Sequence, residues 1–439
     1  MIRRLVLAVI IFALMFGAGC FSGIGPEEII SSVLSDDSGN VFIAYKVERS
    51  PDNHDVHLQK VGSNGSVIWD KSLPTGDDRR ASVIGLVKGE NGSVYIAWEV
   101  LGPEGQRRSA RVTRLARVDA DGQIAFQKEF AERGIQLATA DTGCVIATHQ
   151  NNEEHRVIRF DRNGNVLWSK TLSGRSSGLK LATGVSGETL MLWQIPDNPC
   201  FVMQKLDAGG ESAWGEEGIR IEYLESASQP EPQIISDGSG GAIITWAELA
   251  CEKGEPSRVW LLRIGTDGQV LCKEPLRELT SPINTQIRAV GDWPLGVIVV
   301  WEDLRDGMAI YAMKDNLLSS FRWPENGVPV CTDLPVVSPR FEAVSSGKGG
   351  VVVAWIDGDQ KLYAQMLDAF GQRQWGDKGI LIAEGACHLP VKLCGDNQGG
   401  FIIGWSTGWE AHHPNDSYVQ KIDSNGNLLW GEEGIRLNP

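Results

Sequence analysis

Apolar and polar positions along this chain follow one pattern that returns eight times. Its first part is a glycine and a run of apolar residues closed by an aromatic: 39–45 (GNVFIAY), 92–98 (GSVYIAW), 143–149 (GCVIATH) and 187–193 (GETLMLW). It continues as 240–246 (GGAIITW), a shorter 296–301 (GVIVVW), 349–355 (GGVVVAW) and 399–405 (GGFIIGW). The closing residues Tyr45, Trp98, His149, Trp193, Trp246, Trp301, Trp355 and Trp405 stand 44 to 55 residues apart. A short alternating segment precedes each glycine, for example 232–236 (PQIIS), with a turn such as 237–240 (DGSG) between. This reads as strand, tight turn, strand, because glycine and Asx residues supply the positive φ angles of hairpin turns.

Downstream, a third alternating run such as 418–423 (YVQKID) meets a second turn and a fourth run that ends in an aromatic. The copies are 62–65 with Trp69, 119–122 with Phe126, 161–164 with Trp168, 207–210 with Trp214 and 265–268 with Cys272. A degenerate stretch ending at Trp323, then 368–371 with Trp375 and 423–426 with Trp430, complete the set. Asp opens the turn because its carboxylate accepts backbone amides two residues on, and glycine takes the left-handed position. Four antiparallel strands in about 50 residues make one propeller blade. The fold class expected is therefore all-β, an eight-bladed β-propeller of four-stranded antiparallel blades. The blades fall at about 27–75, 80–131, 133–174, 177–223, 230–278, 284–331, 336–384 and 388–438. Twelve of the fifteen tryptophans occupy the two repeat positions, which predicts packing between blades rather than a binding stripe. How the ring closes is left open, with 434–437 as the segment within reach of blade one.

The run 161–168 (DRNGNVLW) and its copy at 423–430 resemble the tryptophan-docking repeat of PQQ-type, quinoprotein-like eight-bladed propellers. The fuller pattern, Trp-Gly-x-x-Gly-Ile at 214–219, 375–380 and 430–435, is similar to repeats of secreted and surface bacterial proteins. The resemblance implies a fold and says little of activity. PQQ is not expected, since the chain lacks an adjacent Cys-Cys pair and the Thr that usually precedes the turn glycine. No cofactor is expected. Sialidase-type propellers are disfavoured too, because these turns have Asp-x-x-Gly spacing rather than Asp-x-Gly.

Met1, Ile2, Arg3 and Arg4 form a basic start, 5–16 is an apolar core, and 17–20 (GAGC) supplies small residues before a cysteine. This resembles a bacterial lipoprotein signal with its lipobox, although Gly17 stands where Leu is usual. It implies a signal peptide at 1–19, lipid attachment at Cys20, a tether over 20–26 and the propeller over 27–439. The expected location is exported, anchored by lipid to a bacterial membrane, the outer one in a Gram-negative cell, with the propeller in the periplasm or at the surface. Loss of Arg3 and Arg4 takes the net charge from −15 to −17, and an acidic surface argues against nucleic acid as a partner. Apart from Cys20 there are seven cysteines, an odd, irregularly spaced set without Cys-x-x-Cys, which is not a disulfide framework. Cys251 with Cys272, from one blade, is the pair singled out for a bridge.

The repeat leaves the seven histidines unexplained. His54 and His57 are assigned to the second-to-third loop of blade one, and His149 and His155 bracket that loop in blade three. His412 and His413 lie in it in blade eight, and His388 lies at that blade's entry, so all seven map to one face. Blades eight and one are neighbours in a closed ring. His54, His57, His412, His413 and Asp416 are thus the candidate ligands for a transition metal, with solvated loop histidines as the alternative. The same face carries the longest insertions, 47–56, 100–110, 249–257 and 406–417, which marks it as the interaction surface. Trp409, Glu410, His412, His413, His54 and His57 are the candidate partner- or ligand-binding residues. No catalytic set stands out.

The function expected is a monomeric, non-enzymatic binding or scaffold protein at the cell envelope, with an envelope protein or surface glycan as partner. The plan resembles an eight-bladed lipoprotein of the outer-membrane protein assembly machinery. The alternatives are a hydrolase or lyase acting on surface glycans, and metal or small-ligand capture by the histidine face.

Overall fold

The computed structural model describes residues 27–50, 53–76, 79–102, 111–151, 154–173, 177–195, 198–223, 231–248, 257–279, 286–292, 296–305, 307–316, 323–334, 340–386, 391–407 and 416–437. Eight four-stranded antiparallel sheets follow one another along the chain, each formed by four consecutive strands. They span 27–73, 80–130, 133–173, 177–222, 233–279, 287–334, 340–384 and 392–436, and form the eight blades of a propeller. The first strand of each blade is innermost and touches the first strand of the next, including Lys392–Gly395 of blade eight against Glu27–Ser35 of blade one. The ring is closed.

Second strands make the core. Val351–Ile356 and Phe401–Ser406 are buried at every position, and Trp98, Trp246, Trp301 and Trp355 are among the largest fully buried side chains. Such strands read as unbroken apolar runs because both faces of a blade meet a neighbouring blade.

The second repeat position joins the blades. Trp69 Nε1 donates to Ala120 O of blade two at 3.0 Å, and Trp168, Trp214, Trp323 and Trp375 donate in the same way to Ala208, Thr266, Ala369 and Ser424. The turn glycine is required twice over. Gly210 has φ +88°, and a Cβ there would lie 2.7 Å from Trp168 Cγ.

A buried cation reinforces these junctions. Lys60 Nζ reaches Ala120 O at 3.2 Å, Arg159 reaches Ala208 O at 3.2 Å and Lys205 Nζ reaches Thr266 O at 2.6 Å, each sharing the carbonyl that takes the docking indole. Within its own blade the cation meets the first turn, as in Lys421–Asp396 at 2.9 Å and Lys314–Asp292 at 2.8 Å. Where Cys272 replaces the docking tryptophan, a buried pair, Arg263–Asp315 at 2.7 Å, spans blades five and six.

The Trp-Gly-x-x-Gly-Ile motif is structural. In blades four, seven and eight a buried glutamine, Gln204, Gln365 or Gln420, donates at 2.6 Å to the carbonyl of Gly215, Gly376 or Gly431. Its Oε1 accepts the amide of Trp214, Trp375 or Trp430. The second glycine passes close to the third strand: a Cβ at Gly434 would lie 2.6 Å from Val419 O.

Closure uses the same devices without exchange of a strand between the described termini. Trp430 Nε1 donates to Ser63 O at 3.3 Å, Ser35 Oγ donates to Gly395 O at 2.5 Å, and Gln398 Nε2 donates to Asp37 O at 2.9 Å. The strand Ile435–Arg436 stays in blade eight as its outer strand, while Ile435 packs against blade one.

Two expectations are corrected. His54 and His57 lie in the strand Asn53–Val61, not in a loop, and the extra length at 47–50 and 53–56 is paired strand. Val41–Ser50 pairs with Asn53–Val61 out to Ser50 opposite Asn53, so polar residues there occupy strand positions.

Candidate functional site

The closing aromatic of each second strand faces a residue of the third strand, and in four blades the two rings stack. Trp246–Trp260, Trp301–Tyr311, Trp355–Tyr363 and Trp405–Tyr418 have centroids 5.6 to 6.4 Å apart. One histidine, His57, occupies such a position, and two more, His149 and His155, face each other one residue farther along their strands in blade three. His57 stacks on Tyr45 at 5.2 Å, and His149 faces His155 at 4.8 Å, with their Nδ1 atoms 3.1 Å apart.

These histidines belong to local networks. His57 Nδ1 lies 2.8 Å from Asp70 Oδ1, and Asp70 also accepts Tyr45 Oη at 2.6 Å and Gln59 Nε2 at 2.9 Å. Burial pushes the Asp70 carboxyl up, but these donors outweigh it and hold it below the usual carboxylate range. The Ala81 amide donates to His54 Nδ1 at 3.2 Å, which turns Nε2 toward Glu48 Oε1 at 2.9 Å. That hydrogen bond from His54, working against burial and aided by Lys46, brings Glu48 down to about 2. Burial, with His149 adding to it, brings His155 down to about 4.

Trp409, Glu410, His412 and His413 lie outside the described residues, as do His388 and Cys251, so their approach to blade one and the Cys251–Cys272 pair are not described. Asp416 is described, with Arg436 2.7 Å away. Among the described residues no three His, Cys, Asp or Glu side chains are grouped to hold a metal ion. Cys144, Cys331 and Cys394 are inward-facing thiols with pKa values raised by burial, the last two to about 12.

The segment that carries Trp409 springs from a fixed base. Thr407 N donates to Asp416 O at 2.8 Å, and Asp416 N donates to Thr407 Oγ1 at 3.0 Å. Beside this base a groove of 340 Å³ opens between blades seven and eight. Trp405, Tyr418, Thr407, Ile382 and Ala383 line it together with three carboxylates, Glu384, Glu432 and Glu433. Sequence reading had no means of finding it, because it joins the outer strand of one blade to the Trp-Gly-x-x-Gly-Ile loop of the next.

A second polar feature encircles the axis. Ser32, Gly85, Lys180, Gln233, Arg288, Glu342 and Lys392 each sit on an innermost strand, opposite the residue that precedes the closing aromatic. Gln136 is the counterpart in blade three, opposite Ala147. Arg288 grips Glu342 across a junction, Nε to Oε2 at 2.8 Å and Nη2 to Oε1 at 2.7 Å. Lys392 follows in blade eight, where burial lowers the pKa of its ammonium, Glu342 opposes this and Arg288 adds to it. A signal for this row does exist: every member stands thirteen residues before its closing aromatic.

No family model matches the chain, and no curated protein matches it. Among solved structures it is similar to BamB from Moraxella catarrhalis, with 13% identity, 87% of this chain and 97% of that chain covered, and a TM-score of 0.43. It is also similar to a lectin from Burkholderia pseudomallei, with 10% identity, 92% and 97% covered, and a TM-score of 0.47. The β-propeller domain of the Trilobed protease from Pyrococcus furiosus shares 8% identity over 93% of this chain and 100% of that one, with a TM-score of 0.43. These likenesses concern the fold.

Proposed function

We propose that this chain is an exported, lipid-anchored binding protein of the cell envelope, attached through Cys20. Its partner docks on the face where second strands pass to third strands, at blade eight. The observation that carries the reading is the groove between blades seven and eight, which lies at the base of the segment bearing Trp409, Glu410, His412 and His413. A rigid blade that presents an aromatic-lined groove beside a long polar segment suits protein or glycan recognition, because anchors placed on fixed elements bind with little loss of entropy.

The test is affinity capture from intact envelopes, followed by titration of the purified candidate against the wild-type chain and a Glu410→Lys, His412→Glu, His413→Glu variant. A saturable complex that weakens at least tenfold in the variant supports the reading, a change of about 1.4 kcal/mol. Equal binding by both chains removes this face from it. Incorporation of labelled fatty acid that is lost in Cys20→Ser tests the anchor separately.

A further inference from the structure

We infer that the axial row holds a binding site for a small oxyanion, centred on Lys392. The argument begins with charge. The chain as a whole carries −15, yet this row contains three cations, Lys180, Arg288 and Lys392, and one carboxylate, Glu342. Glu342 is engaged on both oxygens by Arg288, so its charge is largely spent there. Among the described residues, neither Lys180 nor Lys392 has an ion pair or a hydrogen bond from its ammonium group.

Register gives the second step. In blade seven, Trp355 packs with blade six while Ala354 packs with blade eight. A residue opposite the position before the aromatic therefore leans toward the next blade. Arg288 does so onto Glu342, and Gln136 does so onto Leu181, taking its amide at 2.6 Å. By the same rule Lys392 leans toward blade one, whose member of the row is Ser32, and blade two follows with Gly85. These are the two shortest side chains of the row. Lys392 thus faces a stretch of the row without a charged side chain, and Glu342, the carboxylate whose charge reaches it, is already held on both oxygens by Arg288.

A half-buried ammonium whose one carboxylate in the row is already paired with Arg288 is costly, and an oxyanion beside it relieves that cost through charge-assisted hydrogen bonds. Arg288 and Lys180 add long-range attraction. Phosphate and carboxylate share this chemistry. The site is separate from the groove at blade eight and does not depend on the function proposed above.

The experiment is calorimetric titration of the purified chain with inorganic phosphate and, separately, with acetate, in a buffer whose own anion is held constant. One saturable site per chain is expected, weakened at least tenfold by Lys392→Met. Lys378→Gln, an exposed change elsewhere, leaves it unaltered. Glu342→Gln frees the Arg288 guanidinium and is expected to tighten binding, so the outcome does not rest on a loss-of-function variant alone. Uptake of phosphate but not acetate assigns a phosphate-type ligand, and the reverse assigns a carboxylate. Absence of saturable binding of either anion, or equal binding by wild type and Lys392→Met, overturns the inference.

Discussion

Gln204, Gln365 and Gln420 hold the same place in three blades, and their chemistry explains why an amide is needed. One side chain must accept two backbone amides and donate to a carbonyl inside the blade, which neither a carboxylate nor an apolar residue can do. Gln420→Leu leaves those groups unpaired and is expected to cost about 1–3 kcal/mol in urea unfolding. Lys421 offers a sharper case. Its ammonium neutralises buried Asp396, and breaking such a pair from one side costs about 3–5 kcal/mol, so Lys421→Met should destabilise strongly. Lys421→Met with Asp396→Ser should recover part of the loss. Blade seven carries that combination naturally, Met366 with Ser346. This correlation was legible in the chain, but only the hairpin register shows that the two positions meet.

At the scale of the strand and its turn, the sequence pattern was most informative where local chemistry decides the outcome. Asp161 Oδ1 accepts the amides of Asn163 and Asn165 at 2.8 Å, as the Asp-x-x-Gly spacing predicts. His54 and His57 fall to a strand through the pairing with Val41–Ser50, which the sequence does not display, since Asn53–Val61 opens with three polar residues and alternates only from Asp55 onward. The pair with Tyr45 explains His57, since an imidazole is flat enough to stand where other blades have indole or phenol. The histidine pair of blade three predicts an acid sensitivity. His155 stays neutral in the fold until about pH 4, whereas the unfolded chain binds that proton near 6.5. Stability should therefore fall as pH drops from 6.5 toward 4 and level off below, a slope that thermal unfolding of His155→Tyr should lack. Asp396 acts lower. Burial raises its carboxyl, but Lys421 and the amides of Gln398 and Gly400 bring it below the ordinary value, so the stability it contributes above about pH 4 is lost as the fold is acidified further.

At the scale of the molecule, a ring with four consecutive strands in every blade must close through side chains, and the eighth junction uses the same indole and glycine as the others. Trp430→Ala should cost about 3–5 kcal/mol, much as Trp214→Ala does at an internal junction, when both are followed by denaturant unfolding. A far smaller effect at Trp430 would mean that closure rests elsewhere. Eight blades were legible because the repeat is regular, whereas the groove arises only when the ring brings blades seven and eight side by side. The binding face of blade eight is the central claim, and photo-cross-linking in intact cells tests it most directly. A photoreactive residue replaces Thr407, which lines the groove, or Asn425, in the turn at the opposite end of the same blade. A discrete adduct from position 407 and none from 425 is the predicted result. Adducts from 425 alone, or none from 407 in cells where the chain is anchored and folded, would contradict it.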